Sequence, residues 1–306
     1  MNLLVTGAFN CSSEQIKQLE DIGYNVIFQQ DERGELITDA KCIDAVICNG
    51  LFLYHSIDDF TSLKLIQLTS AGLDRVPLEK ISERGIELFN ARGVYSVPMA
   101  EFAVCGVLEL YKKFNSFIEN QRKHIWAKDR TVRELQGDTV CIVGCGSVGT
   151  ECAKRFKAFG TTVIGADLVE PQSEYYDEYV PMDKLSEALV KADVVILTLP
   201  LTDETHGMFN KDMFARFKSG AVLVNIARGA VVNEKDLISA LENEMLGGAV
   251  LDVFENEPLP ENSPLWDIEK VIVTPHNSFV SPKNNGRLFE SIMDNLKKYI
   301  DRGRNV

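Results

Sequence analysis

The chain has 306 residues, enough for two domains each with a core of its own. A hydrophobic content of 45% and a charged content of 25% are those of ordinary globular proteins, and exclude a disordered or membrane-embedded class. The net charge of −13 argues against nucleic acid or an anionic membrane as the main partner.

Residues 1 to 97 alternate short β-rich runs with helical patterns. Strands are expected at 2–6, 24–28, 45–48, 65–69 and 86–89, with a helix over 13–22 closed by Gly23. Such alternation predicts a parallel sheet covered by helices. Pro98 then opens a long amphipathic helix whose apolar face runs from Phe102 to Phe114, proline being suited to a first turn. A boundary is expected here, so that 1–97 is the first part of one domain and 98–280 a second. Residues 120–133, polar and basic around Trp126, read as a connecting segment.

The stretch that follows carries the clearest chemistry. A strand at 139–143 passes directly into Gly144-Cys145-Gly146-Ser147-Val148-Gly149, a G-x-G-x-x-G loop. Cys152, Ala153, Phe156 and Phe159 then recur at helical spacing up to Gly160, and a second β run ends in Asp167, eighteen residues after Gly149. A dinucleotide site needs this order. Glycines let the backbone turn tightly and approach a pyrophosphate, the helix N-terminus faces the negative charge, and the acid holds the ribose hydroxyls. A carboxylate at 167 would repel a 2′-phosphate, and neither Leu168 nor Val169 offers a cation, so NAD is expected over NADP.

Beyond an acidic, tyrosine-rich connector at 170–180, a helix is expected at 183–191 and strands at 194–199, 221–225, 249–252 and 271–274. With the two strands flanking the glycine loop these make six, the number of a doubly wound domain. A last helix, 282–301, follows a second hinge near Ser281, so that 281–306 returns to the first domain.

Ligands of open α/β sheets bind where strands end, which directs attention to Arg228, Glu257 and His276, each just past a strand. A guanidinium fork can hold a carboxylate, an imidazole can pass a proton near neutral pH, and a neighbouring glutamate favours the charged ring. The seven cysteines are odd in number and lack a C-x-x-C pair, so neither a disulfide scaffold nor a metal site is expected and most are read as small buried hydrophobes. With no long apolar run and no signal-like start, a cytoplasmic address is the expectation.

These motifs together resemble the D-isomer-specific 2-hydroxyacid dehydrogenase family, which includes phosphoglycerate dehydrogenases and glyoxylate or hydroxypyruvate reductases. The resemblance rests on the glycine loop, Leu199-Pro200-Leu201-Thr202 through Thr205, Asn225 to Gly229, Asp252 to Pro258, and Thr274-Pro275-His276, in the family's order. It implies a doubly wound Rossmann NAD-binding domain inserted into a smaller flavodoxin-like α/β substrate domain, a cleft between them, and a homodimer. It also implies roles: Arg228 as carboxylate and carbonyl binder, His276 as acid/base, Glu257 as its partner, and the backbone of Ser70-Ala71-Gly72 around the substrate carboxylate. Gly144, Gly146, Ser147, Val148, Gly149, Asp167, Leu199, Pro200, Thr205, Ile226, Ala227 and Asp252 would line the cofactor. The implied activity is interconversion of a D-2-hydroxy acid and its 2-oxo acid with NAD; the alternative is an NAD-sensing scaffold of the C-terminal binding protein type. Formate dehydrogenases of the wider family pair the histidine with glutamine, whereas Glu257 points to hydroxy acids. Asn277-Ser278 departs from the small residue usual two positions after the histidine. Arg75 and Arg92 are the cations available should the substrate have an anionic far end.

Overall fold

A computed structural model of the chain describes residues 1–304. In chain order it runs β1 (Asn2–Thr6), α1 (Ser13–Asp21), β2 (Asn25–Gln29), β3 (Ala45–Cys48), β4 (Leu65–Leu68), α2 (Leu78–Glu83) and β5 (Glu87–Phe89). There follow α3 (Ser96–Lys112), α4 (Phe114–Arg122), β6 (Thr139–Val143), α5 (Ser147–Ala158), β7 (Thr162–Asp167), β8 (Glu178–Pro181), α6 (Leu185–Leu189) and β9 (Val194–Leu197). The chain closes with α7 (Lys211–Phe214), β10 (Ala221–Asn225), α8 (Glu234–Glu242), β11 (Leu246–Leu251), β12 (Val271–Val273) and α9 (Asn284–Arg304). Two compact units result, one of residues 1–95 with the described residues from Ser281 onward, the other of 96–280.

The first unit holds a five-stranded parallel sheet of order β2-β1-β3-β4-β5. Alternation along the strands assigns its two faces. Leu3, Val5, Ala45, Ile47 and Leu65 pack beneath α1 and α9, while Leu4, Val46, Cys48, Ile66 and Leu68 pack on the opposite side. Both faces are covered, so β3 and β4 are buried throughout, including the polar Gln67. Gln67 is tolerated because Asn295 of α9 donates to its side-chain oxygen at 2.9 Å and its own amide donates to Leu68 O at 2.8 Å.

The second unit holds a seven-stranded parallel sheet of order β12-β11-β10-β9-β6-β7-β8. Val140, Ile142, Val194, Ile196, Val222 and Val224 meet α3 and α5 on one face, and Cys141, Val143, Val195, Leu197 and Leu223 form the other core. Seven strands, not six, make this sheet. The extra one, β8, lies at the end of the stretch taken for a connector, because a four-residue edge strand with a single buried residue has little apolar signature. The long helix starts at Ser96 rather than Pro98, and Phe114 is not on its apolar face: Lys113 takes a left-handed φ of 54°, the chain restarts as α4, and Phe114 is 56% exposed. Only Cys48, Cys141 and Cys152 are buried, which corrects the expectation that most cysteines are core residues. All seven are unpaired. Among the described residues no helix is long and apolar enough to cross a membrane, and no cluster of His, Cys, Asp or Glu could hold a metal.

Candidate active site

The β6–α5 turn is built by exclusion. A Cβ on Gly149 would stand 2.1 Å from Gly144 O, so only glycine lets α5 begin this close to the strand. Gly146 is the opposite case: it caps the helix at φ −68° without a side-chain hydrogen bond, and a Cβ there would meet nothing within 4 Å. The N–H groups of Ser147, Val148 and Gly149, in the first turn of a twelve-residue helix, have no acceptor among the described residues, the setting for a phosphate group. Ser147 and Val148 form the first turn. Asp167 ends β7 and reaches back to the loop, Oδ2 accepting the Cys145 N–H at 2.5 Å and Oδ1 the Leu168 N–H at 2.6 Å. A carboxylate has lone pairs left for ribose hydroxyls, and exposed Leu168 and Val169 bring no cation for a 2′-phosphate. These residues fit NAD. Thr198, which sequence reasoning placed inside a strand, holds the loop from below by donating to Gly144 O at 2.5 Å. Burial pushes the Cys145 thiol up to about 12, so it carries no thiolate near neutral pH.

On the far side of β9 the loops after β10, β11 and β12 leave three adjacent strands. Strands sit roughly 4.8 Å apart, which confines these loops to a narrow strip. After β10, buried Asn225 shapes the turn: its Oδ1 accepts the Ala227 N–H at 3.1 Å and its Nδ2 donates to Arg228 O at 3.1 Å. Ile226 and Ala227 are buried, and Arg228 is half-buried, its Nη1 donating to Ala227 O at 2.8 Å. A Cβ on Gly229 would lie 1.9 Å from the carbonyl carbon of Phe254, so glycine alone lets this loop press against the one after β11. Leu199 is buried, while Thr205 Oγ1 folds its loop over by donating to Pro200 O and accepting the Thr202 N–H, each at 2.7 Å.

Glu257 and His276 come together. The Glu257 Oε2 lies 2.8 Å from His276 Nδ1, and its Oε1 accepts the Phe254 N–H at 3.1 Å. Both side chains are about two-fifths exposed, at 38% and 39%. A pair this open adds only about 0–1 kcal/mol to stability, so its consequence is orientation. With Nδ1 engaged, His276 Nε2 has no hydrogen bond to any described residue. His276 takes a left-handed φ of 50°, a conformation that costs a non-glycine residue about 1–3 kcal/mol.

Asp252 supplies the compensation. Wholly buried, it accepts the Thr274 hydroxyl and the Asn277 N–H at 2.7 Å and the Ser278 N–H at 2.9 Å, while its own carbonyl accepts the His276 N–H at 2.8 Å. Hydrogen bonds to a charged group contribute about 1.5–3 kcal/mol each, enough to hold the strained turn. Since Asn277 and Ser278 serve through their backbones, their unusual side chains leave this brace intact. Sequence reasoning gave Asp252 a place beside the cofactor and missed that it braces His276.

In the first unit, the loop after β4 has spent its acceptors. Ser70 O accepts the Ala91 N–H at 2.9 Å, Ala71 O the Asn90 amide at 2.7 Å and Gly72 O the Ser70 hydroxyl at 3.1 Å. The N–H groups of Ala71 and Gly72 have no partner among the described residues.

The family model for the NAD-binding domain of D-isomer specific 2-hydroxyacid dehydrogenases matches residues 104–278. A D-lactate dehydrogenase of Streptococcus agalactiae is 36% identical over 257 residues, 79% of this chain and 77% of that protein. A glyoxylate reductase of Thermofilum pendens is 32% identical over 86% of this chain and 80% of its own length. Among solved structures, the D-lactate dehydrogenase of Aquifex aeolicus complexed with NAD and lactic acid superposes with a TM-score of 0.80 at 25% identity, covering 98% of this chain and 96% of that one. The chain therefore belongs to the D-isomer-specific 2-hydroxyacid dehydrogenase family.

Proposed function

We propose that this NAD-dependent dehydrogenase interconverts a D-2-hydroxy acid and its 2-oxo acid, with His276 as the proton donor and acceptor and Arg228 as the substrate's anchor. The observation that carries this reading is the 2.8 Å Glu257–His276 pair, held on a strained turn by Asp252 in the same sheet as the glycine turn. NADH, held by its pyrophosphate at the turn from Gly144 to Gly149, would supply a hydride from its nicotinamide ring. His276 Nε2 gives its proton to the substrate's carbonyl oxygen as that oxygen becomes an alkoxide, and takes it back in the reverse direction. Glu257 fixes the ring by its hydrogen bond to Nδ1, leaving Nε2 toward the substrate. Arg228 holds the carboxylate and stabilises the charge developing on the carbonyl oxygen. The N–H groups of Ala71 and Gly72 are proposed as further donors to the same carboxylate, with Ser70 shaping that turn.

His276→Ala is expected to lower turnover by about 10²–10⁴-fold, read as NADH absorbance with a panel of 2-oxo acids, while NADH affinity persists. An unaltered rate would dispose of the assignment. Glu257→Gln should cost less, since a neutral acceptor still orients the ring.

A homodimer belongs to the same reading. Phe114 and Ile118 lie four residues apart on one face of α4, and these two, with Ile125 and Trp126, the latter 97% exposed, are exposed apolar residues of the kind a second copy covers. Sedimentation at about twice 34.2 kDa is expected, falling toward the single-chain mass in Trp126→Asp; a wild-type monomer overturns it. The unpaired cysteines favour a reducing, cytoplasmic compartment.

A further inference from the structure

The turn that carries Glu257 is held from outside the catalytic pair. It runs from Phe254 to Glu257 in the loop after β11, and carboxylates take two successive amides of it. Glu257 Oε1 accepts the Phe254 N–H at 3.1 Å, and Glu234 Oε2 accepts the next, that of Glu255, at 3.4 Å. The exchange is returned, since Glu255 Oε1 accepts the Glu234 N–H at 2.9 Å. That N–H is the first of α8, one of those a helix leaves without an internal acceptor. Asn233, the helix's own cap, takes a different one, the Asp236 N–H at 3.0 Å. Glu255 therefore completes the capping of α8 from the β11 loop, and α8 in turn fixes that loop.

Attraction between the side chains does not assemble this pair. Glu234 and Glu255 are like charges, and neither forms an ion pair with a described residue. Burial holds the Glu234 carboxyl above its usual range, the Glu255 charge adding to that and the Glu255 N–H opposing it. What joins the two is the amide on each side, together with the positive end of α8. The start of the loop is fastened already: Val253 and Phe254 are buried, and Phe254 packs where a Cβ on Gly229 would strike it. Residues 255 to 258, by contrast, are all exposed, and it is this span, with Glu257 on it, that the exchange closes.

Resting on the catalytic reading above, we propose that Glu234 and Glu255 are positioning residues: by clasping this turn to the N-terminus of α8 they set where Glu257 Oε2 meets His276 Nδ1. Neither has a hydrogen bond to His276. Both act through Glu257, so their contribution to turnover vanishes when Glu257 is removed. A misplacement of about 1 Å costs on the order of 10²-fold in rate, so a small shift of the turn is enough to be read. Cofactor affinity, set at the β6–α5 turn, does not respond.

The test is a double-mutant cycle on the whole chain, read as kcat and KM with NADH and the fastest of a panel of 2-oxo acids. Glu255→Ala is expected to lower kcat by about tenfold with the KM for NADH unchanged. Glu255→Gln, whose amide oxygen still accepts the Glu234 N–H, should recover most of that loss. Glu234→Ala keeps its backbone N–H and removes only the longer hydrogen bond, so it should follow Glu255→Ala with a smaller effect. In a Glu257→Ala background, Glu255→Ala should cost less than about twofold. An unaltered kcat in Glu255→Ala, or the same loss with and without Glu257, overturns the proposal and leaves the catalytic reading standing; a loop that was merely destabilised would give the second result. Full turnover in Glu257→Ala, or no turnover with any 2-oxo acid while NADH still binds, overturns both.

Discussion

Two crossovers in this chain, β1 to α1 and β6 to α5, have the same order of strand, turn and helix, yet only the second leaves its helix N-terminus open. In the first unit Ser12 closes α1 with a capping box: its hydroxyl accepts the Gln15 N–H at 3.2 Å, and the Gln15 side chain accepts the Ser12 N–H at 2.9 Å. Phe9 fills the turn from within, 1% exposed and stacked on Phe289 at 6.1 Å. In the second unit Gly146 caps α5 with no side chain at all. The acid after the second strand diverges likewise. Asp167 braces the glycine turn, whereas Glu32 turns to the loop after β3. A parallel sheet supplies the crevice; the residue at one cap decides whether an anion or the chain itself satisfies the helix.

The sharpest break of this contrast is at the second turn. Gly149→Ala places a methyl group 2.1 Å from Gly144 O, backbone that cannot yield cheaply, and is expected to lower both the unfolding temperature and NADH affinity severely. Gly146→Ala meets nothing within 4 Å and keeps an ordinary φ of −68°. It should lower the unfolding temperature only slightly, by the fraction of ~1 kcal/mol that separates alanine from glycine at a cap, and weaken NADH binding by about tenfold or more, because the methyl group takes the space proposed for the pyrophosphate. Equal NADH titrations for Gly146→Ala and the parent would mean the open cap is not where the cofactor sits.

The glycine turn was legible because its constraints are local: a spacing of glycines, a strand before and a helix after leave a trace in residue type. The Glu257–His276 pair was legible because polar residues at the ends of buried strands stand out, and Arg228 is proposed on the same ground. What stayed hidden acts through the backbone or through weak patterning. The Asn277 and Ser278 N–H groups that Asp252 holds have no side-chain signature, nor does the left-handed turn at His276. The α8 helix went unanticipated despite its Asn233 cap, and α4 was hidden because it buries none of its residues. The exchange between Glu234 and Glu255 needed the loop after β11 folded onto α8 before it could be seen.

The smallest effect belongs to the closed cap, and its value lies in what should not change. Ser12→Ala removes the acceptor of the Gln15 N–H and is expected to cost about 1 kcal/mol, within the roughly 0.5–2 kcal/mol such caps contribute. Ser12→Gly should cost only a few tenths of that, since glycine tolerates the cap conformation. Both are readable as a shift in the denaturant midpoint at constant slope. Neither should alter NADH affinity, because α1 has its N-terminus satisfied by its own side chains and offers the cofactor nothing. A Ser12→Ala chain of parental stability that binds NADH less tightly would reverse the contrast, making the first crossover the one open to the dinucleotide.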